Sequence, residues 1–291
     1  MGLARLLAYR AGCYAGATSL VLALKCAYYR DRGEPFRVAG QTLRFVPGTR
    51  PTRLKYASSV NLVNRYDALQ TKWLTEHLAA GATAFDVGGR DGSVALVMAA
   101  CVGASGRVVT FEPDPAGRKV IERNVRLNSG LEDTVAVEPF AVSDRAGEAD
   151  FFTDAANSSL QRWSTAHPSS AAALKVRLIT LDDYVGDAAP PSVVKIDIEG
   201  AEIGALRGPR RLLAGVTDFL VELQPYAWSA FGDSFGEMQQ LVASTGAHAL
   251  PRSNRCARRR SSLRHGYPRA ALDTPPQAAS RTETAPASGR G

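Results

Sequence analysis

Cysteine is scarce in this chain and scattered: Cys13, Cys26, Cys101 and Cys256 are its four, and no two form a C-x-x-C pair. That argues against a disulfide framework or a zinc knuckle and makes a reducing, cytoplasmic compartment the default. The four histidines are equally dispersed, so no metal site is expected. Long apolar runs are also missing. Near the N-terminus Ala11 to Leu24 gives 14 uncharged residues, where a membrane helix needs about 20. Ala17, Leu20, Val21, Leu24 and Tyr28 recur there at helical spacing, which predicts an amphipathic helix packed on the domain. Weak membrane-surface association through residues 1–30 is the alternative.

Excess charge is absent from most of the chain as well. The formal +7 resides in residues 251–291, which hold nine Arg against Asp273 and Glu283; the first 250 residues carry 26 basic and 26 acidic side chains. A neutral body argues against a nucleic-acid partner. Two dinucleotide signals are lacking too. No G-x-G-x-x-G is present, and none of the nine tyrosines has Lys four residues later, which weighs against a nicotinamide-dependent oxidoreductase.

What the chain does have is a run from Ala82 to Pro115 centred on FDVGGRDGS. Apolar Ala84, Phe85 and Val87 flank Asp86 and open into Gly88, Gly89 and Gly92. A helix-compatible Val94–Ala100 follows, then Val108 to Phe111 ending on Glu112. Strand, glycine turn, helix, strand is the form of a nucleotide-type pocket at the carboxyl edge of a parallel sheet. Further strands are expected at 135–142, 193–198 and 218–223, with helices at 66–79, 115–128, 201–213 and 235–244. Such alternation predicts an α/β fold, Rossmann-like and doubly wound, with a mainly parallel sheet. Residues 36–45 read as a small hairpin, and 145–168 as a loop over the pocket mouth from which Asn157 and Ser158 reach substrate. The domain reading is therefore an N-terminal helix and hairpin region at 1–65 and an α/β domain at 66–250. Residues 251–291, rich in Arg, Pro and Ala, are expected to be a disordered tail.

The acids mark the chemistry. An Asp two residues before a G-x-x-x-G turn suits a ligand with a sulfonium and an ammonium rather than a pyrophosphate. Glu112, twenty residues past Gly92, stands where a carboxylate accepts two ribose hydroxyls. Ser143-Asp144 extends the row of strand-end acids toward an adenine amino group.

FDVGGRDGS, TFEPDP, AVSD, TLDDY, VKIDIEGAE and FLVELQP, in this order, resemble the successive motifs of FkbM-type methyltransferases over Tyr66 to Pro225. The resemblance implies a seven-stranded class I fold, S-adenosyl-L-methionine as cofactor, and methyl transfer to a hydroxyl oxygen of a sugar or natural-product acceptor. It places Asp86, Gly88, Gly89, Gly92, Ser93, Glu112, Pro113, Ser143 and Asp144 around the cofactor. Asp197 and Glu199 fall on the acceptor side as catalytic candidates, with Glu222 third. The glycine turn departs from the family's usual G-A-N-(I/V)-G by carrying Gly89, Arg90 and Asp91. Only Ala247 to Leu250 is available for the closing hairpin, so the sheet is expected to lack a normal final strand. Those departures keep an inactive, methyltransferase-like binding module as the rival reading. No residue pattern speaks to oligomeric state.

Overall fold

The computed structural model describes residues 24, 27–38, 40–47, 49, 61–153, 158–161, 173–215, 217–245, 248–249 and 255–257. Alternation on either side of Gly40 gives an antiparallel hairpin, β1 (Glu34–Val38) and β2 (Gln41–Phe45), whose Leu43 and Phe45 are buried against the main domain. Helix α1 (Asn61–His77) then leads into β3 (Thr83–Val87). The glycine turn follows, then α2 (Ser93–Val102) and β4 (Arg107–Phe111). Helix α2 is apolar on nearly every side and buried from Ala95 to Ala100, as befits a helix enclosed by α1, the sheet and its neighbour. That neighbour, α3 (Pro115–Arg126), starts on Asp114, whose carboxylate accepts the Ala116 amide at 2.9 Å, with Pro115 in the first turn. Both features favour a helix start.

The strand expected at 135–142 is two strands. β5 (Val135–Glu138) joins the main sheet and β6 (Phe140–Val142) a second, small one. Pro139 separates them, because it has no N–H to continue a ladder. The expected loop at 145–168 also needs correcting. β7 (Gly147–Phe152) pairs antiparallel with β8 (Ala173–Ile179), and β6 pairs parallel with β8 on the other side. Ala149 and Phe151 alternate there with Glu148 and Asp150, and Phe151 packs with Ala141, Val176 and Leu178. A short α4 (Leu181–Val185) follows, capped by the Thr180 hydroxyl, and leads to β9 (Val193–Ile196). The helix expected over 201–213 is broken at Gly208-Pro209 into α5 (Glu202–Arg207) and α6 (Arg210–Ala214). β10 (Asp218–Glu222), a 3-10 turn at Trp228–Phe231 and α7 (Phe235–Thr245) complete the α/β body.

Two final strands stand at the sheet edge. β12 (Arg255–Ala257) pairs antiparallel with β10, and β11 (His248–Ala249) pairs with β12. A final strand is therefore present but not a normal one, and β11 falls within the Ala247 to Leu250 expected to begin the closing hairpin. The place of the last strand is filled, over three residues, by the start of the segment read as tail. The remainder of that tail, most of residues 1–30, and Asn157 lie outside the described residues.

Seven strands run in the order β11-β12-β10-β9-β3-β4-β5, parallel from β10 through β5. Side-chain alternation splits the core between the two faces. Ala84, Val108, Val193 and Leu220 pack under α1 and α2, while Phe85, Val109, Val194 and Phe219 pack on the side of α5, α6 and α7. From β3 the chain winds outward through β4 and β5, then returns to β9 on the other side of β3. The carboxyl ends of β3 and β9 thus flank the point where strand order reverses, which is where open α/β sheets bind ligands.

Candidate active site

A cleft of about 310 Å³ opens at that point. One wall comes from the glycine turn and the end of β4. Gly88 has φ +88, and a Cβ there would fall 2.0 Å from the Asp197 carbonyl oxygen. Strands β3 and β9 can approach this closely only without a side chain. Gly89 is as confined, since a Cβ would meet the Thr110 hydroxyl at 2.2 Å. Arg90 also takes the left-handed conformation, φ 51, with its side chain exposed. This turns its amide inward, where it donates to Glu112 Oε2 at 2.6 Å; the Asp114 amide donates to Oε1 at 2.8 Å. Burial pushes the Glu112 carboxyl up to about 7, the two amides pulling against it. Asp91 is turned in instead: its carboxylate accepts the Ser93 amide at 3.2 Å and its carbonyl accepts Asn124 Nδ2 at 2.6 Å.

The opposite wall comes from the end of β9 and the turn that follows it, backed by Gln224 beyond β10. Asp197 Oδ2 lies 3.6 Å from Lys195 Nζ, and its Oδ1 accepts Gln224 Nε2 at 2.9 Å. Glu199 stands at φ 54, and the Ser159 hydroxyl donates to its carbonyl at 3.0 Å. Its carboxyl is pushed up to about 7, first by burial and then by repulsion from Asp197, with Arg90 opposing. Glu202, fully buried beneath, accepts the Gly200 amide at 2.7 Å and the Trp228 indole N–H at 2.8 Å. It braces the turn that carries Glu199. Phe140 and Phe151 give the cleft an apolar side.

Of the residues singled out from sequence, Gly88, Gly89, Ser93, Glu112, Pro113, Asp197 and Glu199 line this cleft, and so does Ser158. Asp86, Gly92, Ser143, Asp144 and Glu222 do not. Asp86 has no exposed surface, because it points sideways within the sheet to Lys195, its register partner on β9, with Oδ1 to Nζ at 3.2 Å. Gly92 is tucked against Ile121 of α3 at the head of α2. Ser143 and Asp144 turn away at the end of β6: the Ser143 carbonyl crowds Gly208, and Asp144 pairs with Arg145 at 3.1 Å. Glu222 ends β10 behind the wall rather than on it. Lys195, Gln224, Glu202 and the two phenylalanines were not anticipated. The available signals were a lone Lys inside the apolar run VVKI and the place of Lys195, Glu202 and Gln224 within the motifs VKIDIEGAE and FLVELQP.

Residues 86–249 match the model of the methyltransferase FkbM domain. The chain belongs to the FkbM methyltransferase family. Over 76 residues it is 37% identical to a protein-L-isoaspartate O-methyltransferase of Caenorhabditis elegans, which covers 26% of this chain and 33% of that protein. The chain thus spans about a third of the length of the curated relative it matches. Among solved structures, an FkbM methyltransferase of Methylobacillus flagellatus overlaps 60% of this chain and 42% of its own, at 17% identity and a TM-score of 0.41. A fibrillarin of Aeropyrum pernix with natively bound S-adenosyl-L-methionine overlaps 62% and 67%, at 11% identity and a TM-score of 0.36. At these scores both are likenesses and nothing more.

S-adenosyl-L-methionine is the cofactor of this family, and the donor set of the cleft fits it. Glu112 retains acceptor capacity for a diol beyond its two amides. Phe140 and Phe151 offer apolar surface to a purine, and Asp197 and Glu199 offer negative charge to a sulfonium. Among the described residues no cluster of His, Cys, Asp and Glu could hold a metal ion.

Proposed function

We propose that this FkbM-family chain is an S-adenosyl-L-methionine-dependent methyltransferase acting on a hydroxyl oxygen of a small-molecule acceptor, a sugar or a natural product. The observation that carries this reading is the pairing of walls across one cleft. A diol-accepting carboxylate gripped by backbone amides, Glu112, stands on one side, and a pair of carboxylates, Asp197 and Glu199, on the other.

When bound, the cofactor supplies an electrophilic methyl group. The rest is work for side chains of this chain. Glu112 sets the ribose end, and Gly88 lets the strand ends close on it. Asp197 and Glu199 divide the remaining labour. Both Asp197 oxygens already have partners, Lys195 and Gln224, so Asp197 is a fixed negative charge. Glu199, pushed up to about 7 by burial and by Asp197, is matched to accept a proton from an acceptor hydroxyl near neutral pH. Orientation in a water-poor cleft supplies most of the acceleration.

The acceptor is a small molecule rather than a nucleic acid, since the first 250 residues are neutral. We place the protein in the cytoplasm. No helix among the described residues is long and apolar enough to cross a membrane; surface association through residues 1–30 remains a proposal. Calorimetry with S-adenosyl-L-methionine tests the core of the reading: saturable binding is expected, and absence of heat at millimolar ligand from folded protein overturns it. Glu199→Gln is expected to lower kcat about 100-fold, with a much smaller loss of cofactor affinity. An unchanged kcat would move the base elsewhere.

A further inference from the structure

Lys195 is 3% exposed and sits in the middle of β9 between apolar neighbours. Burying an ammonium there costs several kcal/mol unless opposite charge surrounds it. The register of the sheet supplies that charge. Asp86 of β3 lies between Thr110 of β4 and Lys195 of β9 in one row across three parallel strands. The Lys195 ammonium stands 3.2 Å from Asp86 Oδ1 and 3.6 Å from Asp197 Oδ2, and donates to the Gly88 carbonyl at 3.4 Å. One group therefore touches the sheet interior, the glycine turn and the acceptor wall of the cleft.

We infer that Lys195 is a positioning residue for the proposed reaction: its ammonium, anchored on Asp86, holds the Asp197 carboxylate and the Gly88 carbonyl in register across the strand ends. Neutralising Asp86 alone would need only the first contact. The second and third set where negative charge is presented to the cleft. Other titratable or charged groups face the same spot: Glu199 and Glu202 from the turn after β9, Glu222 from β10, Arg90 from the glycine turn and the neutral Tyr226 phenol beyond β10. Three further acids, Glu199, Glu202 and Glu222, crowd the Asp197 side of this group, and Lys195 is a cation in direct contact with Asp197. Burial pulls the Lys195 ammonium down, but Asp86 and Asp197 outweigh it and hold it above its ordinary value, charged.

This inference rests on the methyltransferase reading, and the test separates the two. Lys195→Met alone strands the Asp86 charge and risks unfolding, so the informative protein is the neutral double variant Asp86→Asn/Lys195→Met. Two measurements on folded full-length protein decide it. In free protein, the carboxyl carbon of Asp197, assigned by its loss in Asp197→Asn, is titrated by carbon NMR; the midpoint is expected to move upward by about one pH unit or more in the double variant. By calorimetry, affinity for S-adenosyl-L-methionine is expected to fall about tenfold or more, and affinity for S-adenosyl-L-homocysteine, which keeps the ammonium and carboxylate but lacks the sulfonium charge, by only about threefold. An Asp197 midpoint and a ligand preference both as in wild type would reduce Lys195 to a counter-ion for Asp86 and overturn the inference. If wild-type protein binds neither ligand, the methyltransferase reading fails, and the Asp197 titration alone still decides the role of Lys195.

Discussion

The two walls of the cleft reach a common purpose by different physics. On the β3–β4 side, recognition is built from backbone: glycines that admit no Cβ, and two amides donated to one buried carboxylate. On the β9–β10 side it is built from charge, with Asp197, Glu199 and Glu202 gathered around the end of one strand and Lys195 beneath them. A wall made of backbone is intolerant of added atoms, and its response to pH is confined to the one carboxylate it grips. A wall made of charge tolerates shape changes but depends on protonation. Substitutions should divide along the same line.

Gly88→Ala is the largest expected break. A methyl group 2.0 Å from the Asp197 carbonyl, at φ +88, forces β3 and β9 apart, a cost of about 3 kcal/mol from overpacking and strain together. Thermal unfolding should show the loss and calorimetry should show cofactor binding abolished; a wild-type melting curve would mean the strand ends are not in contact. Trp228→Phe comes next, on the charge side. It removes the indole donor from buried Glu202 and shrinks a side chain that is 2% exposed, for about 2 kcal/mol of stability. Cofactor affinity should change far less than stability. Equal losses would show that the Gly200 turn and the cofactor wall are one unit. Glu112→Ala should weaken cofactor binding at least about tenfold, or 1.4 kcal/mol, at nearly unchanged kcat. Unchanged affinity would mean that the ribose end is placed wrongly.

How much of this was legible in the sequence follows the same division. The backbone wall was readable, because a glycine turn between apolar runs and an acid at the next strand end each have a local cause. The charge wall was only half readable. Asp197 and Glu199 follow their strand directly, but Lys195 acts through a register partner 109 positions away, Asp86, and no local pattern encodes a parallel pairing. The same gap misplaced Asp86, which precedes the glycines in sequence yet points into the sheet. Ser143 and Asp144 were misplaced for another reason: Pro139 ends β5 and diverts the chain into the small sheet, so the acid at the end of β6 is not at the end of a main-sheet strand. The strand β7 reads as loop in the sequence because Ala149, Phe151 and Phe152 are its only apolar residues, among acids and polar flanks. The closing strand Arg255–Ala257 lies in a segment whose composition spoke against any strand at all.

The smallest expected effect is also the sharpest test of the contrast between walls. Glu112 on one side and Glu199 and Glu202 on the other are each pushed, by burial first, to about 7. In the unfolded chain these groups titrate near 4.5. Between those values the folded protein holds protons that the unfolded chain has already released, so stability must fall as pH rises through the window. For the free protein a decrease of a few degrees in melting temperature is expected from pH 5 to pH 7.5, at about 2–4 °C per kcal/mol for a chain of this size. The magnitude is modest because Glu112 and Glu199 open onto the cleft and can hydrate. Added cofactor should flatten the slope, since a cation and a diol both favour the ionised acids and stabilise most at the upper end of the range. Glu202→Gln should remove part of the slope with or without cofactor, because Glu202 does not line the cleft. Glu112→Gln should remove part of it only in the free protein. A melting temperature that stays level or rises from pH 5 to pH 7.5 would show that these carboxylates are ionised in the folded state, and the charge wall would then be held by cations rather than by burial.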